Sequence, residues 1–85
     1  MLFRSSWLVN AFLCIHSHEG AWNDSGAPYW GGLQFGWSEW QRYGGQYAPS
    51  ADLATPAEQI AAGIAYWRVA GFSPWPTTAR MCGLL

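Results

Sequence analysis

The first segment of the chain is apolar on nearly every side. Residues 7–15 are Trp-Leu-Val-Asn-Ala-Phe-Leu-Cys-Ile, and Ser5 or Ser6 precedes them as a candidate N-cap. A helix that is apolar all round is typical of the buried centre of a fold. The pattern therefore predicts a buried helix from about Trp7 to His18 or Glu19, ended by Gly20.

The second half of the chain contains the strongest local helix signal. The motif Thr55-Pro-Ala-Glu58 combines a capping box with Pro at the first helical position. Three apolar residues then follow at a spacing that places them on one helix face: Ile60, Ile64 and Trp67. The pattern predicts a helix from Pro56 to about Ala70, with Gly71 as its C-terminal stop.

The remaining elements are short. Tyr29–Phe35 is aromatic and interrupted by glycines, which favours an extended segment or a small hairpin. Trp37–Tyr43 is long enough for a two-turn helix that Gly44-Gly45 would stop, and Thr77–Cys82 predicts one last helical turn. The sum is one mainly α domain of the α+β class, residues 1–85, with three or four helices.

Composition and charge limit the classes of partner that we expect for this chain. The 85 residues are 51% apolar and include seven Trp, enough for a compact core in a domain of marginal size. The net charge is −1, with four Arg and no Lys. Because the chain has no run of basic residues, we expect no contact with nucleic acid or with an anionic membrane. The apolar run at Trp7–Ile15 is too short for a membrane span.

Cys14 and Cys82 lie near opposite ends of the chain. In a small secreted domain, such a pair favours one disulfide that closes nearly the whole fold. In the chain-entropy model a loop of this size stabilises the folded state by roughly 4 kcal/mol. The alternative is two unrelated buried thiols.

Seven Trp exceed what a core of this size requires. Aromatic rings beside glycines also suit a groove that stacks on sugar rings, although core packing is the more common role of any single Trp. We assign Trp30, Trp40 and Trp75 to such a groove. The glycine pair Gly31-Gly32 would let the backbone approach a ligand closely.

Glu19 is the leading candidate for chemistry. At the C-terminal end of a buried helix, the negative pole of the helix dipole and apolar neighbours both disfavour an ionised carboxyl. A protonated carboxyl is what a glycosidic oxygen requires from a general acid. An ordinary exposed glutamate is the alternative on position alone. If a second carboxylate takes part, Asp24 and Glu39 are the candidates.

A metal site is poorly supported. His16 and His18 are two residues apart and would face different sides of a helix, and the chain has no third His. We therefore expect no metal and no cofactor, and we expect His18 to orient Glu19 or to be a solvated neighbour. No Gly-x-Ser-x-Gly motif supports a serine nucleophile.

The order of motifs resembles the resuscitation-promoting factor and transglycosylase-like family, a branch of the lysozyme-like superfamily. The resemblance covers roughly residues 7–84, almost the whole chain. It is carried by these residues and blocks in order: Glu19-Gly20, Trp22, Tyr29-Trp-Gly-Gly-Leu-Gln-Phe35, Trp40, Gly44-Gly45, Glu58-Gln-Ile60, Gly71, Trp75-Pro76 and Cys82.

The resemblance implies a lysozyme-like fold whose cleft binds the glycan strand of peptidoglycan. It implies that Glu19 cleaves the bond between N-acetylmuramic acid and N-acetylglucosamine, as a lytic transglycosylase or a muramidase. It also implies a disulfide between Cys14 and Cys82. The expected substrate-binding residues are Tyr29, Trp30, Gly32, Gln34, Glu39, Trp40 and Trp75.

Three departures from the family pattern bear on these expectations. The first cysteine lies five residues before Glu19 instead of directly before it, and extra residues separate Pro76 from Cys82. Glu39 stands where the family often has a small hydroxyl residue. In the cleft, Glu39 could stabilise an oxocarbenium ion or activate water, whereas on the solvent side of its helix it would have no role.

The expected location is the cell wall, reached by secretion or by phage delivery. We expect a monomer, with a cell-wall endopeptidase as a candidate partner. Two other functions remain open at this point. One is a non-catalytic module that binds peptidoglycan through the same aromatic groove, and the other is a structural domain of a phage or cell envelope.

Overall fold

The computed structural model describes the backbone from Leu2 to Leu85 and the side chains from Ser6 onward. Four helices surround a short antiparallel hairpin in which Tyr29 pairs with Gly36 and Trp30 pairs with Phe35. In chain order the elements are α1 (Leu2–Ser17), β1 (Tyr29–Trp30), β2 (Phe35–Gly36), α2 (Trp37–Tyr43), a 3₁₀ turn (Ala51–Leu53), α3 (Pro56–Ala70) and α4 (Pro76–Met81).

This arrangement confirms the predicted fold class, a mainly helical α+β domain of lysozyme-like type. The bounds of α2 and α3 and the hairpin are as predicted. At Thr55 both hydrogen bonds of the capping box form, and Gly71, with φ of 62°, ends α3 in a left-handed conformation. The 3₁₀ turn was not predicted.

The prediction for the start of the first helix is wrong. α1 begins at Leu2, so Ser5 and Ser6 lie inside the helix and neither caps it. Serine has only a modest cost in a helix interior, so the ladder of backbone hydrogen bonds continues through both residues. The helix ends at Ser17, and Glu19 consequently lies in the turn that follows it.

The core is built on aromatic rings from α1, the hairpin, α2 and α3, and on Trp75, which lies directly before α4. Trp75 is at its centre, with edge-to-face contacts to Phe12 at 5.0 Å and Tyr66 at 5.5 Å between ring centroids. Its indole N–H donates to the carbonyl of Leu33 at 2.9 Å, so the one polar group of this ring is satisfied. The core therefore extends without interruption from α1 through the hairpin to α3.

A disulfide joins Cys14 of α1 to Cys82 after α4, across 68 residues. The predicted pairing is therefore confirmed, and two separate thiols are excluded. This bond fixes the end of α1 against α4, and so determines where the turn that carries Glu19 lies.

Gln59 of α3 is fully buried and holds three separate segments together. Its carboxamide oxygen accepts from the Gly32 amide at 2.8 Å, and its nitrogen donates to the carbonyls of Trp22 and Ala54 at 2.9 and 3.0 Å. Gly31 must be glycine here, since a Cβ atom would lie 2.6 Å from the Gln59 oxygen. The hairpin and the loop after α1 are thus fixed to α3 by one side chain.

Among the residues described, no helix is both long and apolar enough to span a membrane.

We expect Gln59→Leu to lower the free energy of unfolding by about 3 kcal/mol or more, because three buried backbone groups lose their partner. Urea denaturation measures this change. Gln41→Leu is the control, since Gln41 makes one hydrogen bond at the surface, to the Pro49 carbonyl, and should cost less than about 1 kcal/mol. Equal losses in the two variants would contradict the structural role of Gln59.

Candidate active site

A groove with three connected compartments runs across the surface beside the hairpin. Its Glu19 compartment has a volume of about 170 Å³, the middle compartment about 100 Å³ and the outer compartment about 240 Å³. The first is lined by Glu19, Tyr29, Gln34, Pro74 and Trp75. The middle one shares Tyr29, Gln34, Pro74 and Trp75 and adds Phe35, Gly36, Glu39 and Tyr66. The outer one is lined by Ser38, Glu39, Arg42, Tyr43 and Tyr66.

Glu19 is half-buried and is held by a residue from the other end of the chain. The hydroxyl of Thr78, on α4, donates to Glu19 Oε2 at 2.8 Å. Thr78 is itself buried, at 7% exposure, so water competes weakly for this contact. A hydroxyl can donate to a carboxylate and accept from a protonated carboxyl. Thr78 can therefore hold the Glu19 side chain in both protonation states.

Gln34 enters the groove from the tight turn between β1 and β2. Its backbone has a φ of 53°, a left-handed conformation that costs a non-glycine residue free energy and is often found at functional sites. Its side-chain nitrogen donates to Asp24 Oδ2 and to the Gly31 carbonyl, both at 2.8 Å. Among the described residues, none donates a hydrogen bond to the side-chain oxygen of Gln34, which is thus available to a hydroxyl or amide of a ligand.

Gly20 allows Gln34 and Asp24 to pack beside Glu19. A Cβ atom at Gly20 would lie 2.6 Å from both Asp24 Oδ2 and Gln34 Nε2. Asp24 therefore holds Gln34 in place, and it does not line the Glu19 compartment as a second carboxylate. The carboxyl of Glu19 and the carboxamide of Gln34 form the polar part of that compartment.

The aromatic residues expected in the groove differ in their positions. Tyr29 is 53% exposed and forms the rim of two compartments. Trp75 is only 4% exposed, and its accessible edge lines the same two compartments. Trp30 is half-buried and packs against Trp37, at 5.3 Å between centroids, outside the lining of the groove.

Two expected groove residues lie in the interior, and their assignment as substrate contacts is wrong. Trp40 is 1% exposed, and its indole N–H donates to the Ala48 carbonyl at 2.8 Å, so it is a core residue. Gly32 is also buried, and a Cβ atom there would collide with the rings of Trp22 and His16. The glycine pair lets the backbone approach side chains of the protein itself.

Glu39 lines the groove, but it does not line the compartment of Glu19. It lines the middle and outer compartments, and its carboxylate folds back over Gly36 at the start of α2. Burial raises the pKa of the Tyr66 phenol above its ordinary value of 10.0, and Glu39 and Tyr43 raise it further. A phenol whose pKa is at or above its ordinary value is protonated near neutral pH, so Tyr66, which lines the groove, can donate a hydrogen bond there.

His18 does not take the orienting role. It is exposed, and it makes no hydrogen bond to Glu19 in the described part of the chain. A nitrogen of its ring lies within 4.8 Å of the sulfur atoms of Cys14 and Cys82, but both sulfurs belong to the disulfide and cannot ligate a metal as thiolates. His16 stacks on Trp22 at 3.7 Å and makes a hydrogen bond with the Gly32 carbonyl.

Sequence reasoning missed Thr78, Tyr66 and Arg42. Thr78 lies 59 residues from Glu19, and no local pattern predicts a contact over that distance. A signal for Arg42 was present, because it stands three residues after Glu39 and so on the same face of the predicted helix.

The chain is similar to known proteins over this region. The model of a family described as a transglycosylase-like domain matches residues 14–78. Resuscitation-promoting factor RpfB of Mycolicibacterium smegmatis is 41% identical over 61 residues, which are 71% of this chain and 17% of RpfB. RpfA of Mycobacterium tuberculosis is 43% identical over 63 residues, 72% of this chain and 16% of RpfA. Rpf1 of Corynebacterium glutamicum is 40% identical over 62 residues, 72% of this chain and 32% of Rpf1. The chain thus spans less than a fifth of RpfB and RpfA.

Proposed function

The chain belongs to the transglycosylase-like domain family, and on that premise we propose that it cleaves the glycan strand of bacterial peptidoglycan, with Glu19 as general acid and base. The observation that carries the proposal is the Glu19 compartment, where a half-buried carboxyl faces a groove beside a carboxamide and two aromatic rings. The site of action is then the cell wall. The monomeric state and an endopeptidase partner stay predictions.

In the proposed mechanism the scissile bond joins N-acetylmuramic acid to N-acetylglucosamine. Glu19 donates its proton to the glycosidic oxygen, the bond from C1 to that oxygen breaks, and an oxocarbenium ion develops on the muramic ring. The Glu19 carboxylate then takes the proton of the muramic C6 hydroxyl, whose oxygen closes on C1. The products are an anhydromuramic end and a free N-acetylglucosamine hydroxyl, and Glu19 is again protonated.

The composition of the compartments favours this transglycosylase route over hydrolysis. Of the described residues that line the Glu19 compartment, Glu19 is the sole carboxylate. A hydrolase of the usual type requires a second one, about 5–9.5 Å from the first. Glu39 lines the neighbouring compartment, so hydrolysis with Glu39 acting on water is the second candidate. In the mechanism proposed here Tyr29, Gln34 and Trp75 hold the saccharide.

We expect Glu19→Gln to lower the release of soluble fragments from purified sacculi by about 10²-fold or more, because the variant cannot transfer the proton. Mass analysis of the parent's products should find anhydro ends. Glu58→Gln is the matched control, since Glu58 lies outside the groove and Gln can replace Glu in the capping box. Unchanged release by the Glu19 variant would refute a catalytic role, and reducing ends would favour hydrolysis with Glu39.

The same assay tests the alternatives from the sequence. If the domain is a binding module, the parent protein would sediment with sacculi but would release no soluble fragments. A structural domain would show no saccharide affinity at all.

Thr78→Val should lower kcat about three- to tenfold with little change in KM, because one hydrogen bond that positions Glu19 is lost. Thr78→Ser keeps a hydroxyl and should recover most of the loss. Steady-state kinetics on soluble glycan strands measures both, with thermal unfolding to compare stability. A valine variant with the kcat of the parent would show that Thr78 does not position Glu19.

A further inference from the structure

The outer compartment contains the only cationic side chain among the described residues that line the groove. Arg42 lines it, while Arg68 and Arg80 are exposed on α3 and α4 and line none of the three compartments. The chain has no lysine. A guanidinium beside an otherwise acidic groove can bind an anion, and its planar fork suits a carboxylate.

Arg42 is exposed on α2. Glu39 lies three residues away on the same helix and lines the same compartment, a spacing at which ion pairs often form. Among the described residues, however, neither Glu39 nor any other group forms an ion pair or a hydrogen bond with the Arg42 side chain. Both charged groups are therefore available to a ligand.

The wall of this compartment is also suited to a ligand. Tyr43 and Tyr66 stack with their ring centroids 4.7 Å apart and their planes 16° apart, which fixes both rings. Tyr66 can donate a hydrogen bond there because its phenol remains protonated. The compartment thus offers a hydrogen-bond donor, a cation and an anion around about 240 Å³.

The sugar rings of a glycan strand carry no charge, so a guanidinium finds no anionic partner on them. In peptide-bearing peptidoglycan the lactyl carboxyl of muramic acid is held in the amide bond to the stem peptide, and the carboxylates lie on the peptide. An amino acid that bears both a carboxylate and an ammonium would also match Glu39 beside Arg42.

We propose that the outer compartment is a binding site for the stem peptide, in which Arg42 binds a peptide carboxylate. The inference rests on the proposed function, since it names the part of peptidoglycan that this end of the groove recognises. Its consequence is selectivity: the domain binds peptide-bearing strands more tightly than strands from which the peptides have been removed and whose lactyl carboxylates have been amidated.

The test measures binding to three sedimentable forms of peptidoglycan. The first is intact, and the second consists of glycan strands freed of their peptides by an amidase, coupled to beads and amidated at the lactyl carboxylates that the amidase exposes. The third is intact peptidoglycan with its carboxylates amidated. Each protein carries Glu19→Gln so that the glycan is not consumed, and dissociation constants come from co-sedimentation at low ionic strength. Arg42→Gln should weaken binding to the intact form about two- to fivefold, as expected for an exposed charge pair, and should not change binding to the other two. Arg68→Gln is the matched control and should bind all three forms as the unchanged background does.

Two results would overturn the inference: no loss with intact peptidoglycan, or the same loss with all three forms. Release of fragments by the protein with Glu19 intact is measured separately. Absence of release together with peptide-dependent binding would reject the proposed reaction and retain the peptide site. Release without a peptide-dependent effect of Arg42 would do the reverse.

Discussion

The groove depends on the three hydrogen bonds of one buried side chain. Gln59 connects α3 to the Gly32 amide in the hairpin and to the Trp22 carbonyl in the loop after α1. The hairpin presents Tyr29 and Gln34 to the groove, so their position relative to α3 follows from this connection. Because an unsatisfied buried polar group is costly, the loss of any of the three bonds would destabilise this connection.

Glu19 is positioned from the opposite side of the fold. The disulfide at Cys14 holds the last turn of α1 against α4, and Thr78 on α4 then reaches the Glu19 carboxyl. The acid is thus fixed by contacts between the two ends of the chain, and Gln34 beside it lies on the hairpin that Gln59 ties to α3. A domain of 85 residues can in this way hold a reacting group with a small core.

The helices whose ends depend on local sequence signals could be predicted from the sequence. The capping box at Thr55 and the glycine stops required no tertiary information, so α2 and α3 were predicted with their bounds. The site was predicted less well, because exposure depends on which rings meet in space. Trp40 was expected to stack on sugar and lies in the core, while Thr78 contacts Glu19 across 59 residues that no spacing rule connects. The resemblance of motif order made Glu19 the candidate acid and drew attention to Glu39, but it gave no information on the other residues of the outer compartment.

The groove beside the hairpin is proposed to hold the glycan strand with its scissile bond at Glu19. A crystal structure of the Glu19→Gln variant with a peptidoglycan tetrasaccharide tests it most directly. We expect the sugar rings to lie along the groove between Tyr29 and Trp75, with one glycosidic oxygen within hydrogen-bond distance of the side chain at position 19. A saccharide bound on another face, or one in the groove with every glycosidic oxygen out of reach of position 19, would contradict it.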